Sequence, residues 1–237
     1  MKLRKLINFV LLGLIVILPL AGCGGGESSP STSNTPTDTS IIFSTFPSTY
    51  FGGNYSASYS LSGSFSTGEN ATGTWSIQSG SKTSYNSQSV TTIDYLLSLT
   101  NTTSGATSST LAEEYYATNL YNRTLIGQYT ATDGVSSIAT STKNIPLLIT
   151  IGDFGMVGSY SLSDSKSSSI TWSLENGFNG KAKLVLTEIV KDTSNVLFST
   201  EVHSWTITQD GTRESVQVTV TMHQSGNLTL TMTGNKS

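Results

Sequence analysis

Between Tyr55 and Ser66 the chain alternates without a break. Tyr55, Ala57, Tyr59, Leu61, Gly63 and Phe65 fall on one side of an extended segment, and the serines from Ser56 to Ser66 fall on the other. A period of two marks a half-buried β-strand, because successive side chains point to opposite faces. The same alternation recurs in Ile93/Tyr95/Leu97/Leu99, Ala182/Leu184/Leu186, His203/Trp205/Ile207, Val216/Val218/Val220/Met222 and Leu228/Leu230/Met232. Turn-forming pairs punctuate the runs: Asp133-Gly134, Asn176-Gly177, Asn179-Gly180, Asp210-Gly211 and Ser225-Gly226. Only Leu111–Tyr116 (LAEEYY) has helical composition; it is short and reads as a strand. The pattern predicts an all-β fold with essentially no helix, an antiparallel meander of about 10–12 strands forming a sandwich or a partly open barrel.

Two short strings recur. SYSLS stands at Ser58–Ser62 and again at Ser159–Ser163, and each is followed by Thr-Trp-Ser, at Thr74–Ser76 and at Thr171–Ser173. Placing Tyr59 opposite Trp75 centres the intervening turn on Thr67 and leaves the loop Ser66-Thr67-Gly68, with glycine where a left-handed residue is needed. Placing Tyr160 opposite Trp172 centres the second turn on Lys166. Two readings fit: an internal duplication with copies 54–130 and 155–233, each opening with a hairpin that sets Tyr against Trp, or coincidence in a chain rich in serine and threonine. Gly152, Gly155 and Gly158 then read as a turn leading into the second copy.

The first 22 residues have a different character. Lys2, Arg4 and Lys5 precede an apolar run, Leu6–Leu20, which is followed by Leu20-Ala21-Gly22-Cys23. That is the layout of a secretory signal. The LAGC ending resembles the lipobox of bacterial lipoproteins. The resemblance implies cleavage before Cys23, acylation of its thiol and of the new amino group, and attachment to the membrane through Cys23. Gly24 after the cysteine implies, by the family's sorting tendency, the outer membrane. Residues 24–40, GGGESSPSTSNTPTDTS, contain no apolar side chain and read with Cys23 as a flexible tether, so that 41–237 forms the β-domain.

Composition narrows the functions further. Cys23 is the only cysteine, so a lipidated Cys23 leaves no thiol for disulfides, catalysis or metal binding. Of the 12 basic and 15 acidic residues, cleavage removes Lys2, Arg4 and Lys5, leaving 9 against 15 and a net charge of −6. That argues against nucleic acid as a partner. Charged residues make up 11% of the chain, whereas it holds 40 serines and 36 threonines. The polar surface is therefore largely hydroxyl. Alternation also suits an outer-membrane barrel. Against that stand the lipid anchor, the polar ending Thr-Gly-Asn-Lys-Ser, and Lys181, Lys183 and Glu188 in mid-run.

Catalytic equipment is sparse. His203 shares a face with Trp205 and Ile207 and reads as a partly buried or edge histidine; His223 falls on the Gln217/Thr219/Thr221 face, the solvent side. Neither has a ligand-spaced partner for a metal. There is no Gly-x-Ser-x-Gly elbow. Glu113 and Glu114 are adjacent, so on a strand they point to opposite faces and do not form one acid/base pair. No catalytic, cofactor or metal residue is expected. Runs such as GQYTATDG, IGDFGMVGSYSLS and EVHSWTITQDGT resemble those of β-rich envelope lipoproteins of Gram-negative bacteria, which implies a location and a β fold but no activity. The leading expectation is an anchored binding or structural module that engages an envelope protein. The alternatives are a carrier of lipid or another apolar ligand, suggested by the supply of aromatics, and, more remotely, an envelope hydrolase.

Overall fold

The computed structural model describes residues 35–118 and 123–237. The signal, the lipobox and Cys23 lie outside them. The strands are β1 (Ile42–Ser44), β2 (Ser56–Phe65), β3 (Asn70–Tyr85), β4 (Gln88–Asn101), β5 (Thr107–Thr118), β6 (Arg123–Thr130), β7 (Val135–Thr142), β8 (Leu148–Thr150), β9 (Phe154–Leu162), β10 (Ser167–Asn176), β11 (Ala182–Lys191), β12 (Leu197–Ile207), β13 (Arg213–Met222) and β14 (Leu228–Lys236). Twelve of them form one antiparallel meander, and β14 pairs back with β2 to close it into a barrel. Of the two architectures open from the pattern, a sheet closed on itself is found, and closure is complete. β1 and β8 stand apart as a two-stranded sheet. LAEEYY lies within β5, and the described helical structure is one short 3₁₀ turn at His223–Ser225.

The alternation carries through to three dimensions. Ala57, Tyr59, Leu61 and Phe65 of β2 are buried inside, while Ser56, Ser60, Ser62 and Ser64 face outward. Apolar side chains fill the lumen and hydroxyls coat the wall, the reverse of a lipid-facing barrel. Trp75 of β3 lies 4.8 Å from Trp205 of β12, ring to ring, although three strands separate β3 and β12 around the wall. Large rings from strands a third of the way round the wall from each other therefore meet inside the barrel.

The first recurring hairpin matches its expectation. Tyr59 pairs with Trp75, and Gly68 closes the turn at φ +90°. The second does not. Tyr160 pairs with Ser168, and Trp172 lies opposite Gly155. The turn is centred on Asp164 rather than Lys166, with Ser165 in the left-handed region at φ +69°. Closing at 163–165 moves the partner of Tyr160 by four residues, which preserves parity, so Tyr160 and Trp172 both remain buried. Gly155 and Gly158 sit in β9 rather than in a turn; a Cβ on Gly155 would lie 2.9 Å from the Trp172 indole nitrogen. Around the ring, β2–β7 and β9–β14 are two consecutive six-strand runs, with SYSLS in the first strand of each and Thr-Trp-Ser in the second.

One end of the barrel is capped by the segment before β2. Contacts with the barrel start at Thr35, six residues ahead of Ile41. The buried Thr37 donates its hydroxyl to the Lys181 carbonyl at 2.7 Å, and its backbone N–H to Asn176 Oδ1 at 3.1 Å. Phe43 is fully buried under β1–β8, and the turns after Pro47 bring Phe46, Tyr50 and Phe51 over the lumen. On the outside, the long β3–β4 hairpin folds over β5 and β6. Asn86 and Ser87 form its tip with φ of 46° and 62°, and Tyr85 stacks on Tyr115 at 3.9 Å above a small apolar cluster with Val90 and Ile126.

Candidate functional site

Strict alternation sends every second residue inward, whatever its chemistry. Glu114 of β5, Glu188 of β11, Glu201 and His203 of β12, and Arg213 at the start of β13 therefore all project into an otherwise apolar lumen. Of the adjacent pair on β5, Glu114 is the inward one. Glu113 stays on the outer wall, where it accepts a hydrogen bond of 2.5 Å from the Tyr115 hydroxyl.

A file of phenols joins the cation to a carboxylate. Arg213 donates from Nη1 to the Tyr50 hydroxyl at 3.2 Å, and the Tyr50 and Tyr95 hydroxyls are 2.9 Å apart. Tyr95 donates to Glu114 Oε2 at 2.5 Å, and Tyr116 donates to the same oxygen at 2.8 Å. Every donor can point from Arg213 toward Glu114, so the chain is satisfied in a single direction. The guanidinium also lies 4.7 Å from the Tyr50 ring and 4.8 Å from the Trp205 ring, and the Arg213 carbonyl accepts the Tyr59 hydroxyl at 3.0 Å. An arginine keeps its charge in any protein interior. Here the faces of two rings and one phenol replace its water. Nε remains buried without a partner.

The surroundings set the protonation states. Loss of water pushes the Glu114 carboxyl up, against the hydrogen bonds from Tyr95 and Tyr116 and the Arg213 charge, which pull it down. Glu188 is pushed up to about 8 by burial, with Glu114 adding to the effect, so it is a neutral acid at pH 7. His203 is pushed down to about 3 by burial and then by the Arg213 charge. It is a neutral imidazole whose Nε2 lies 2.9 Å from Glu201 Oε1, packed edge-on against Trp75 at 4.7 Å. The expectation of a partly buried histidine is corrected to a fully enclosed one. The chain carries the signal for this: Glu201, His203, Trp205 and Ile207 share one parity, as do Leu184, Leu186 and Glu188. His223 lies in the 3₁₀ turn, 2.6 Å from Thr200 Oγ1.

Two small cavities lie in the lumen among the described residues. A cavity of about 30 Å³ lies among Tyr95, Glu114, Tyr116, Trp172 and Arg213, and another of about 10 Å³ lies beside Trp75 and His203. The larger holds about one water molecule. Ligand pockets span roughly 300–1,000 Å³. A space of that size, about 320 Å³, is found outside: a groove across β2 and β11–β14 lined by Ser60, Ser62, Thr206, Gln217, Thr233 and Lys183. Among the described residues no group of three His, Cys, Asp or Glu is placed to hold a metal ion. No family model, curated protein or solved structure matches this chain.

Proposed function

We propose that the chain is an envelope lipoprotein, anchored in the outer membrane through Cys23, whose barrel serves as a binding or structural module. The observation that carries the reading is the Leu20-Ala21-Gly22-Cys23 sequence directly after an apolar run. The packing supports a non-catalytic role. His203 is enclosed at 5% exposure with Glu201 as its hydrogen-bond partner, out of reach of a substrate. The accessible surface is a hydroxyl wall with a ligand-sized polar groove, suited to an envelope protein or other polar partner and poorly suited to nucleic acid. The test is acyl labelling. Wild-type chain takes up labelled palmitate and fractionates with membranes, whereas Cys23→Ala takes up none and is released. Unchanged labelling of Cys23→Ala defeats the assignment.

A second reading, a carrier of an apolar ligand, draws on one feature. The cap covers the lumen end where Arg213, Glu114 and Trp172 face the inner cavity. Loading requires the cap to leave. Delipidated protein that takes up no fluorescent fatty acid or phospholipid counts against it.

A further inference from the structure

Among the described residues nine large apolar side chains are exposed, and four of them, including the two most exposed, gather at the capped end: Phe154 at 81%, Leu148 at 63%, Ile42 and Phe178. Leu96, Leu111 and Ile138 lie along the wall, and Val196 and Leu197 at the opposite end. Ile42 and Leu148 lie on the outer face of the β1–β8 pair, whose inner face buries Phe43 and Ile149. Phe154 opens β9 just beyond that pair and sits opposite Ser173. Phe178 is in the β10–β11 turn, where it and Asn179 occupy the left-handed region at φ of 61° and 54°. A bulky residue in that region is strained. Glycine or asparagine would form the same turn without strain, so the position is held by an aromatic ring that the fold then leaves in the open. Among the described residues, Phe154 and Phe178 are the only exposed large aromatics.

The chain arrives at this same end. Thr35 exchanges hydrogen bonds with Asn179, the neighbour of Phe178: its N–H donates to Asn179 Oδ1 at 3.2 Å, and its carbonyl accepts the Asn179 N–H at 2.8 Å. Eleven residues lie between Cys23 and Thr35, a reach of at most about 40 Å over the twelve steps. The point of attachment therefore lies beside the apolar side chains, and a bilayer holding Cys23 lies within that reach.

We infer that the capped end is a membrane-docking face, on which Ile42, Leu148, Phe154 and Phe178 enter the interfacial layer of the bilayer that holds Cys23. Apolar and aromatic side chains at this depth bind without a basic patch, and the one lysine in the adjoining turn, Lys181, is paired with Glu214 at 2.5 Å. Docking fixes the barrel axis across the membrane plane and points the turns at 66–69, 102–106 and 192–196 away from it. The inference rests on acylation of Cys23.

The test uses the full acylated chain, reconstituted into vesicles of phosphatidylethanolamine and phosphatidylglycerol. An environment-sensitive fluorophore is attached at Leu148→Cys, Phe154→Cys or Val196→Cys, the last on the opposite end and 54% exposed. At these solvent-facing positions the label leaves the core intact. The expected result is a blue shift, with quenching by spin-labelled lipid, at positions 148 and 154 and neither at 196. No quenching at 148 and 154, or equal quenching at 196, overturns the inference. A blue shift at 154 that rises with protein concentration in the absence of vesicles also overturns it, because it identifies the face as a contact between copies. Flotation of the same samples separates the two layers of the argument. Protein that floats with the vesicles but shows no quenching defeats the docking face alone, whereas protein that is neither acylated nor floated defeats the lipoprotein reading itself.

Discussion

Tyr50 and Arg213 are 163 residues apart in sequence, yet the guanidinium of one donates to the hydroxyl of the other and lies over its ring. Tyr50 comes from the cap and Arg213 from the barrel, so this contact ties the closure of the barrel to the solvation of its buried cation. Tyr50→Phe keeps the ring but takes the hydroxyl acceptor from Arg213 Nη1 and one of the two hydrogen bonds from the Tyr95 hydroxyl, which keeps Glu114; the expected loss is about 1–3 kcal/mol. Tyr50→Ala also leaves a cavity and should cost about 3–5 kcal/mol. Denaturant unfolding of the three proteins checks the order. Equal stability of wild type and Tyr50→Phe contradicts the phenol file.

Two buried groups with opposite shifts give the barrel a pH profile. Glu188 is held at about 8 in the fold, against 4.5 for an ordinary glutamate. Its contribution is fully present below the unfolded value and is lost as pH rises through the folded one, to an extent on the order of 5 kcal/mol. His203 is held at about 3, against 6.5. Its contribution is present above pH 6.5 and is lost as pH falls toward 3. Between 4.5 and 6.5 the two slopes oppose each other, so stability from these groups is level there and declines on both sides. Glu188→Gln should remove the alkaline decline and leave the acid one. Urea midpoints measured from pH 4 to 9 check this; an unchanged alkaline limb in Glu188→Gln refutes the assignment.

What is legible in the chain depends on parity, and what is hidden depends on distance. Alternation alone assigns Tyr59, Trp75 and Trp205 to the inside, and it holds the information for Glu188 and Glu201 as well. It also tolerates the change of register at Tyr160, because a turn moved from Lys166 to Asp164 shifts the pairing by an even number. What parity cannot carry is a contact made by an irregular segment. Residues 45–53 have no period, so nothing in them foretells that Tyr50 is delivered to Arg213. Closure is equally hidden: it depends on β14 reaching β2 across the whole chain, and each strand has the same local pattern in an open sheet as in a ring.

The close fit at β9–β10 makes a coupled prediction. The Trp172 indole lies against Gly155, where an added Cβ would meet its nitrogen at 2.9 Å and its ring carbons at 3.1 and 3.2 Å. Gly155→Ala should therefore cost about 1–3 kcal/mol by overpacking. Trp172→Phe removes the atoms in conflict, at a cavity cost of its own. The double variant should lose less than the sum of the single ones, since the two changes share one contact. Thermal unfolding of the four proteins closes the cycle, and strict additivity refutes the contact.

The last prediction concerns the outer wall. Beyond the irregularity between Ser79 and Lys82, the β3–β4 hairpin continues as the pairs from Lys82–Thr91 to Tyr85–Gln88. A two-stranded ribbon alone is marginal in water. What pins it to the barrel is Tyr85, which stacks on Tyr115 at 3.9 Å with planes 10° apart and donates its hydroxyl to the Ser137 carbonyl at 2.9 Å. Tyr85→Ser removes both contacts without touching the lumen. Amide exchange at residues 82–88 should accelerate strongly, as in a locally opening unit. Exchange in β12 and β13, which pack around Trp205 on the far side, should stay at the wild-type rate. If β12 and β13 accelerate together with the hairpin, the ribbon is part of the cooperative core rather than a flap laid upon it.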